Sequence, residues 1–359
     1  MQIEQAKPRT TQSTGEFMEA LLWADIERME MVRLERPAPA AGQILVQVHT
    51  VGICGSELEG FLGHNSLRRP PLLMGHEFSG TIAAVGDAVE WLAAGDRVTV
   101  NPLTSCGSCS HCRRGLPNLC GDRRIVGIHG PGAFAEFVVV DAGQAIPLSS
   151  DLPLVRAALA EPLACSLRAA RRALSGAVGS NVAVIGAGAI GLLCARVAQI
   201  MGAARVVISD KNASRLDIAR KAGIAHTLEA GGDDLPDRVR EIAGPEGVDV
   251  VIDAAGFQPT RSCAMALLNN GGTFMNIGLG IDDTTLPINL LTRSEIRILG
   301  SFAYTPDDFR AAVQLLADGR VTEAGWTREA PLAYGTQAFP ELVAGEIPEA
   351  KILLHPGAQ

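Results

Sequence analysis

Several signatures that mark other functional classes are missing from this chain. No run of Lys or Arg exceeds two residues, and the net charge at pH 7 is −8. Without a basic stripe to neutralise phosphates, nucleic-acid binding has no electrostatic footprint. Charged residues are scarce, 19% against 47% hydrophobic, which excludes the disordered class. The first 14 residues are polar and lack the apolar core of a secretory signal. The default expectation is then a cytoplasmic protein whose thiols stay reduced. No solenoid-length repeat and no low-complexity tract occurs. Charge is absent altogether across the 23 residues from Ala173 to Ala195, long enough to span a bilayer. That window, however, holds Gly176, Gly179, Gly186, Gly188 and Gly191 with Ser175, Ser180 and Asn181. A buried strand, turn and helix explain it better than a membrane span.

The strongest organising stretch lies inside that window. Val182-Ala183-Val184-Ile185 reads as a buried parallel strand, and Gly186-x-Gly188-x-x-Gly191 follows at once, ahead of a helical pattern. Gly186 permits the tight turn, Gly188 lets a pyrophosphate approach the backbone, and Gly191 lets the helix pack on the sheet. The helix N-terminus then offers free N–H groups and a positive dipole end to the phosphates. A second strand at 205–209 ends in Asp210, 24 residues past Gly186, where an acid meets the adenosine ribose. An acid there favours NAD over NADP, although Arg215 nearby could accept a 2′-phosphate or cover the adenine. Further strands at 248–252 and 273–277 alternate with helical segments, predicting a doubly wound parallel sheet. The first ~150 residues read instead as short strands and turns, a 154–174 segment as helical, and 306–318 as a helix.

The eight cysteines point to metal before disulfides in a reducing compartment. Cys106-x2-Cys109-x2-Cys112-x7-Cys120 suits a closed tetrahedral zinc site of structural type, with His111 as a bystander. Cys54, His76 and Glu77, with Glu161 further on, offer the mixed S, N and O donors of a catalytic zinc with an open position. Ser56 places a hydroxyl two residues from the proposed thiolate, suited to carrying an alcohol proton away. Cys165, Cys194 and Cys263 lack ligand spacing; Cys165, four residues past Glu161, could approach the zinc, but core packing is the favoured reading.

On these motifs the chain resembles the zinc-containing medium-chain dehydrogenase/reductase family, in its sorbitol and threonine dehydrogenase-like branch. The carriers are 52–56, 75–77, the four-cysteine lobe, Glu161-Pro162-Leu163 and the glycine loop. The resemblance implies a GroES-like distorted β-barrel catalytic domain at 18–168, with its zinc lobe at 101–122, after a flexible extension at 1–17. It implies a Rossmann NAD-binding domain at 169–300 and a return to the catalytic domain at 301–359. It also implies oxidation of a zinc-held alcohol with hydride passing to NAD, two zinc ions per chain, and a homodimer or homotetramer pairing near 296–302. By the same resemblance Cys54 and His76 are zinc ligands, with Glu77 or Glu161 as the carboxylate. Ile190, Asp210 and Arg215 line the adenosine and pyrophosphate, Ile277, Gly278 and Leu279 lie under the nicotinamide, and Ser301 and Phe302 close over it.

Departures from the family pattern concern the substrate. Glu57 stands where Asp is usual, Glu59 where a relay His is common, Gly60 where polyol-type members carry Tyr, and Ala303 where they carry Arg; Tyr304 remains. Phe61, Trp91 and Tyr304 are the expected pocket residues, with His64 a further candidate. The expected reaction is oxidation of a secondary alcohol of the polyol, sugar or cyclitol class. Threonine-type amino-alcohol oxidation and a non-catalytic NAD-binding protein are the alternatives.

Overall fold

The computed structural model describes residues 13–65, 67–174, 179–232 and 234–357. Two sheets carry the fold, each with its own core. The first runs Thr327–Pro331, Lys351–His355, Gln43–Gly52, Glu77–Val85, Arg97–Val100, Ala145–Pro147, with Phe137–Asp141 also pairing on Gln43–Gly52. It wraps around Val46, Val48, Phe78, Ile82, Val98, Phe134 and Phe339. A hairpin, Ser13–Asp25 with Arg28–Pro37, flanks it. The expected extension at 1–17 is thus shortened: 13–17 already belong to a strand, and 1–12 lie outside the described residues.

The second sheet has six parallel strands in the order His226–Glu229, Arg205–Asp210, Asn181–Ile185, Val248–Asp253, Leu268–Asn276, Arg297–Gly300. This is the doubly wound order, and it leaves Arg297–Gly300 as an edge strand. The uncharged window resolves as strand Asn181–Ile185, glycine turn and helix Ala189–Ile200, while 175–178 lie outside the described residues. Among the described residues no helix is long and apolar enough to cross a membrane.

The expected boundaries at 168 and 300 cut through packed structure. Helix Ala160–Ala173 carries nine buried residues, and its apolar sides meet the dinucleotide-type core together with Phe309, Ala312 and Leu316 of helix Pro306–Ala317. Asp308 fastens these helices, accepting from Arg168 Nη1 at 3.1 Å and Arg171 Nη1 at 2.9 Å. The chain therefore rejoins the barrel sheet at Thr327–Pro331 and not at 301.

Candidate active site

Antiparallel pairing of Gly52 with Glu77 brings two distant segments to one end of the barrel. Cys54 follows the first strand and caps helix Gly55–Phe61; His76 and Glu77 open the second. Ligand atoms of Cys54, His76 and Glu77 all lie within 4.8 Å of one another. Thiolate, imidazole and carboxylate at that spacing fit zinc with an open position.

Buried groups orient these ligands. The Glu57 carboxylate accepts from His76 Nδ1 at 2.9 Å and Gly75 N–H at 2.8 Å, and its other oxygen from Cys54 N–H at 3.0 Å. With Nδ1 committed, Nε2 is the nitrogen left for a metal. Burial alone would lower the His76 imidazole, but Glu57 and Cys54 beside it hold it well above its usual range. Burial would likewise raise the Glu57 carboxyl, and His76 and Arg68 hold it low. Behind Glu77, Lys351 Nζ donates to both carboxylate oxygens at 2.8 and 2.7 Å and to the Ile53 carbonyl at 3.0 Å. Gly52 makes room for this pair: a Cβ there would stand 2.4 Å from Glu77 Oε2. Sequence reasoning missed both supports. Glu57 was legible as a departure beside the ligand motif; Lys351 carried no local signal.

Ser56 Oγ donates to Cys54 Sγ at 3.3 Å and accepts from Arg68 Nη2 at 3.1 Å. Glu161 stands beside the cluster without joining it: burial first, and then Glu77, push its carboxyl up to about 7. Cys165 Sγ lies 3.7 Å from Glu161 Oε1, so this thiol belongs to the rim of the site as well as to the packing. Tyr304 is 2% exposed, with its ring 5.4 Å from Phe309, and burial first and then the neighbouring Glu161 push its phenol well above its ordinary range.

Two pocket expectations need correction. Phe61 is 3% exposed and stacks into the barrel core on Phe339, because it follows the buried face of its short helix with Glu57 and Gly60. Trp91 is 64% exposed in the connection after Val85, the end of its strand remote from Glu77. His64 pairs with Glu59 at 3.3 Å on the surface.

In the cysteine lobe, the Sγ atoms of Cys106 and Cys112 are 3.9 Å apart, Cys109 and Cys112 3.5 Å, and Cys120 and Cys106 3.5 Å. A tetrahedron of sulfurs about 2.3 Å from zinc has edges of about 3.8 Å, so the four atoms already fit one ion. No disulfide ties them. Backbone N–H groups of Ser108 and Cys109 draw the Cys106 thiol down to about 6, toward the ligating thiolate.

The glycine loop follows its strand with Gly186 at φ 98°, and Gly188 has open space where a side chain would point. A Cβ on Gly191 would fall 1.8 Å from the Gly186 carbonyl oxygen, so only glycine lets this helix start here. Asp210 accepts from Ala187 N–H at 2.7 Å and Asn212 N–H at 2.8 Å, clamping the loop. Arg215 sits half-buried in the first turn of the next helix and Ile190 in the first turn of helix Ala189–Ile200. Ile277, Gly278 and Leu279 follow strand Leu268–Asn276; Leu279 is 73% exposed. The Ser301 hydroxyl is buried and has no hydrogen-bond partner among the described residues. Phe302 is tied to the cysteine lobe: its ring lies under Arg123, and its carbonyl accepts from Asn118 at 2.8 Å.

Comparison with known proteins identifies the family of the chain. Residues 40–150 match the alcohol dehydrogenase GroES-like domain, and residues 189–318 the zinc-binding dehydrogenase domain. D-xylulose reductase A of Aspergillus oryzae is 32% identical over 355 residues, 95% of this chain and 96% of its own length. D-arabitol-phosphate dehydrogenase of Enterococcus avium is 31% identical over 333 residues, 92% of this chain and 94% of its own. A Sinorhizobium meliloti protein assigned as a zinc-binding dehydrogenase, solved with NADP, superposes with a TM-score of 0.88 at 32% identity, covering 95% of this chain and 100% of that one.

Proposed function

This chain belongs to the zinc-containing medium-chain dehydrogenase/reductase family, and from that premise we propose that it oxidises a secondary alcohol of the polyol and sugar class to the ketone, with NAD as hydride acceptor. The observation that supports this most is the convergence of Cys54, His76 and Glu77 beside the Ser56 hydroxyl at one end of the barrel. Cys54, His76 and one carboxylate, Glu77 or Glu161, would hold a catalytic zinc, and Cys106, Cys109, Cys112 and Cys120 a structural one. Bound there, zinc would polarise the alcohol oxygen.

The residues divide the rest of the work. Glu57 fixes the His76 ring, Lys351 holds the Glu77 carboxylate, and Ser56 Oγ accepts the alcohol's proton while its own, which rests on Cys54 Sγ, leaves for water. The carbinol hydrogen leaves as hydride, so the products are ketone, NADH and one proton. Gly186, Gly188, Ile190 and Gly191 would receive the pyrophosphate side, Asp210 and Arg215 the adenosine, and Ile277, Gly278, Leu279, Ser301 and Phe302 the nicotinamide. Asp210 carries a negative charge where a 2′-phosphate would sit, which favours NAD. Free cysteines suit a reducing compartment such as the cytoplasm. The edge strand Arg297–Gly300, which carries the exposed Ile298, suits a homo-oligomeric contact, to be read by light scattering.

The test is NADH formation across polyols, polyol phosphates, cyclitols, amino alcohols and simple secondary alcohols, with NADP in parallel and Cys54→Ser as control. A hit that needs Cys54 and prefers NAD supports the reading. Preference for threonine, or silence with only one zinc bound per chain, would replace it.

A further inference from the structure

Arg68 comes from the loop between helix Gly55–Phe61 and His76, and its side chain is turned inward, 4% exposed. Nη1 donates to the Ser56 carbonyl at 3.0 Å and Nη2 to Ser56 Oγ at 3.1 Å. Nε has no partner. Among the described residues no carboxylate oxygen lies within 4.0 Å of it. Glu57 is the acid whose carboxyl it helps hold low, but the Glu57 oxygens are taken by His76, Gly75 and Cys54. A buried guanidinium without an ion pair is costly, so its retention needs a reason.

Space for this side chain comes from Gly60. A Cβ at Gly60 would stand 3.0 Å from Arg68 Cδ and 3.8 Å from Arg68 Cβ. Gly60 is one of the departures from the polyol-type pattern, so the small residue and the buried arginine form one unit.

A guanidinium stays charged and cannot take up a proton at working pH; it acts through fixed charge and fork geometry. A serine hydroxyl has one proton and two lone pairs and otherwise rotates freely. Arg68 grips both oxygens of Ser56, occupies one lone pair of Oγ, and leaves the hydroxyl proton directed at Cys54 Sγ, 3.3 Å away. One lone pair remains for the alcohol's proton, on an oxygen whose position is now fixed and whose own proton can leave Cys54 Sγ for water.

We propose that Arg68 is the positioning residue of the proton relay, fixing the Ser56 hydroxyl for proton acceptance, and that Gly60 is the residue that admits it. This rests on Ser56 being the first acceptor of the alcohol's proton.

The experiment uses the zinc-loaded dehydrogenase and the best alcohol of the panel, with Arg68→Met, Arg68→Lys, Gly60→Ala and Ser56→Ala alone, and Arg68→Met combined with Ser56→Ala. Arg68→Met is expected to lower kcat about 10- to 100-fold with KM changed less than about three-fold. Arg68→Lys, which cannot hold both oxygens, recovers only part of this, and Gly60→Ala lowers kcat a few-fold by displacing the guanidinium. The double variant should be no slower than Ser56→Ala within about two-fold, because Arg68 acts through that hydroxyl. A crystal structure of Arg68→Met should show Ser56 in a changed or split rotamer.

Losses that multiply in the double variant overturn the proposal, as does an unchanged Ser56 rotamer. So does a loss for phosphate-bearing alcohols in the Ser56→Ala background, which would make Arg68 a direct substrate contact. Full activity in Ser56→Ala removes the relay reading, and the proposal with it. If melting or zinc content shows Arg68→Met misfolded, Arg68→Lys and Gly60→Ala, each combined with Ser56→Ala, separate the same outcomes.

Discussion

Replacing Lys351 by Met tests the electrostatics behind the ligand cluster. Lys351 and Glu77 have side chains 3% and 1% exposed, and the three ammonium N–H groups meet three acceptors at 2.7 to 3.0 Å. At about 3 Å and an effective dielectric near 20, such a pair attracts by about 5 kcal/mol. Met keeps the stem but strands a carboxylate in the interior, which costs about 3–5 kcal/mol when one partner of a buried pair is removed. The assay is urea unfolding of zinc-stripped protein, so that no metal occupies the freed carboxylate, at pH 7. Burial alone would lower the Lys351 ammonium, but Glu77 raises it above its ordinary value. A raised lysine contributes its full stability below the ordinary lysine range and loses it only as pH climbs through the raised value, so neutral pH lies inside the window. Lys351→Met should lower the midpoint markedly, and Lys351→Met with Glu77→Gln should recover about half of the loss. An unchanged midpoint in the single variant, or a double variant as unstable as the single, would refute the reasoning.

Three shorter expectations follow. Glu57→Gln removes the charge on His76 Nδ1 and should weaken zinc retention about 10- to 100-fold, read by competition with a chromogenic chelator. Gly191→Ala drives a Cβ toward the Gly186 carbonyl and should abolish NADH binding in a fluorescence titration, with the barrel's zinc content retained. Burial would raise the Asp308 carboxyl, but Thr305, Arg171 and Arg168 hold it below its ordinary value. Its stabilisation is therefore present above the ordinary carboxylate range and lost as pH falls through the lowered value. The stability gap between the parent and Asp308→Asn should shrink as the pH of urea titrations is lowered from 6 to about 3, and a constant gap would count against this.

What the sequence made legible was set by how local each constraint is. The glycine loop and the four-cysteine lobe are short, their spacing is dictated by one turn or one ion, and the structure has both with the expected geometry. The doubly wound sheet was readable because each strand ends in its own turn. The domain limits were not, because helix Ala160–Ala173 is apolar on more than one side and only packing decides which core owns it. Phe61 and Trp91 were placed by nearness in sequence to the ligands. Helical phase buries the first, and a nine-residue strand carries the second to the far end.

The residues that escaped notice share a physical feature. Lys351 lies 274 positions from Glu77, and Arg68 reaches Ser56 from a loop whose path no periodicity encodes. Both are buried cations, costly alone, and stable only once the surrounding sheet has closed. Lys351 opens the strand Lys351–His355, which docks on Gln43–Gly52, so Glu77 cannot be neutralised until that late strand is in place. Glu57 likewise needs the helix after Cys54 and the turn before His76 together. The ligands are therefore contributed by early sequence, but their preorganisation depends on the last strand of the barrel. Metal affinity in this centre reports completion of the barrel as much as the identity of its ligands.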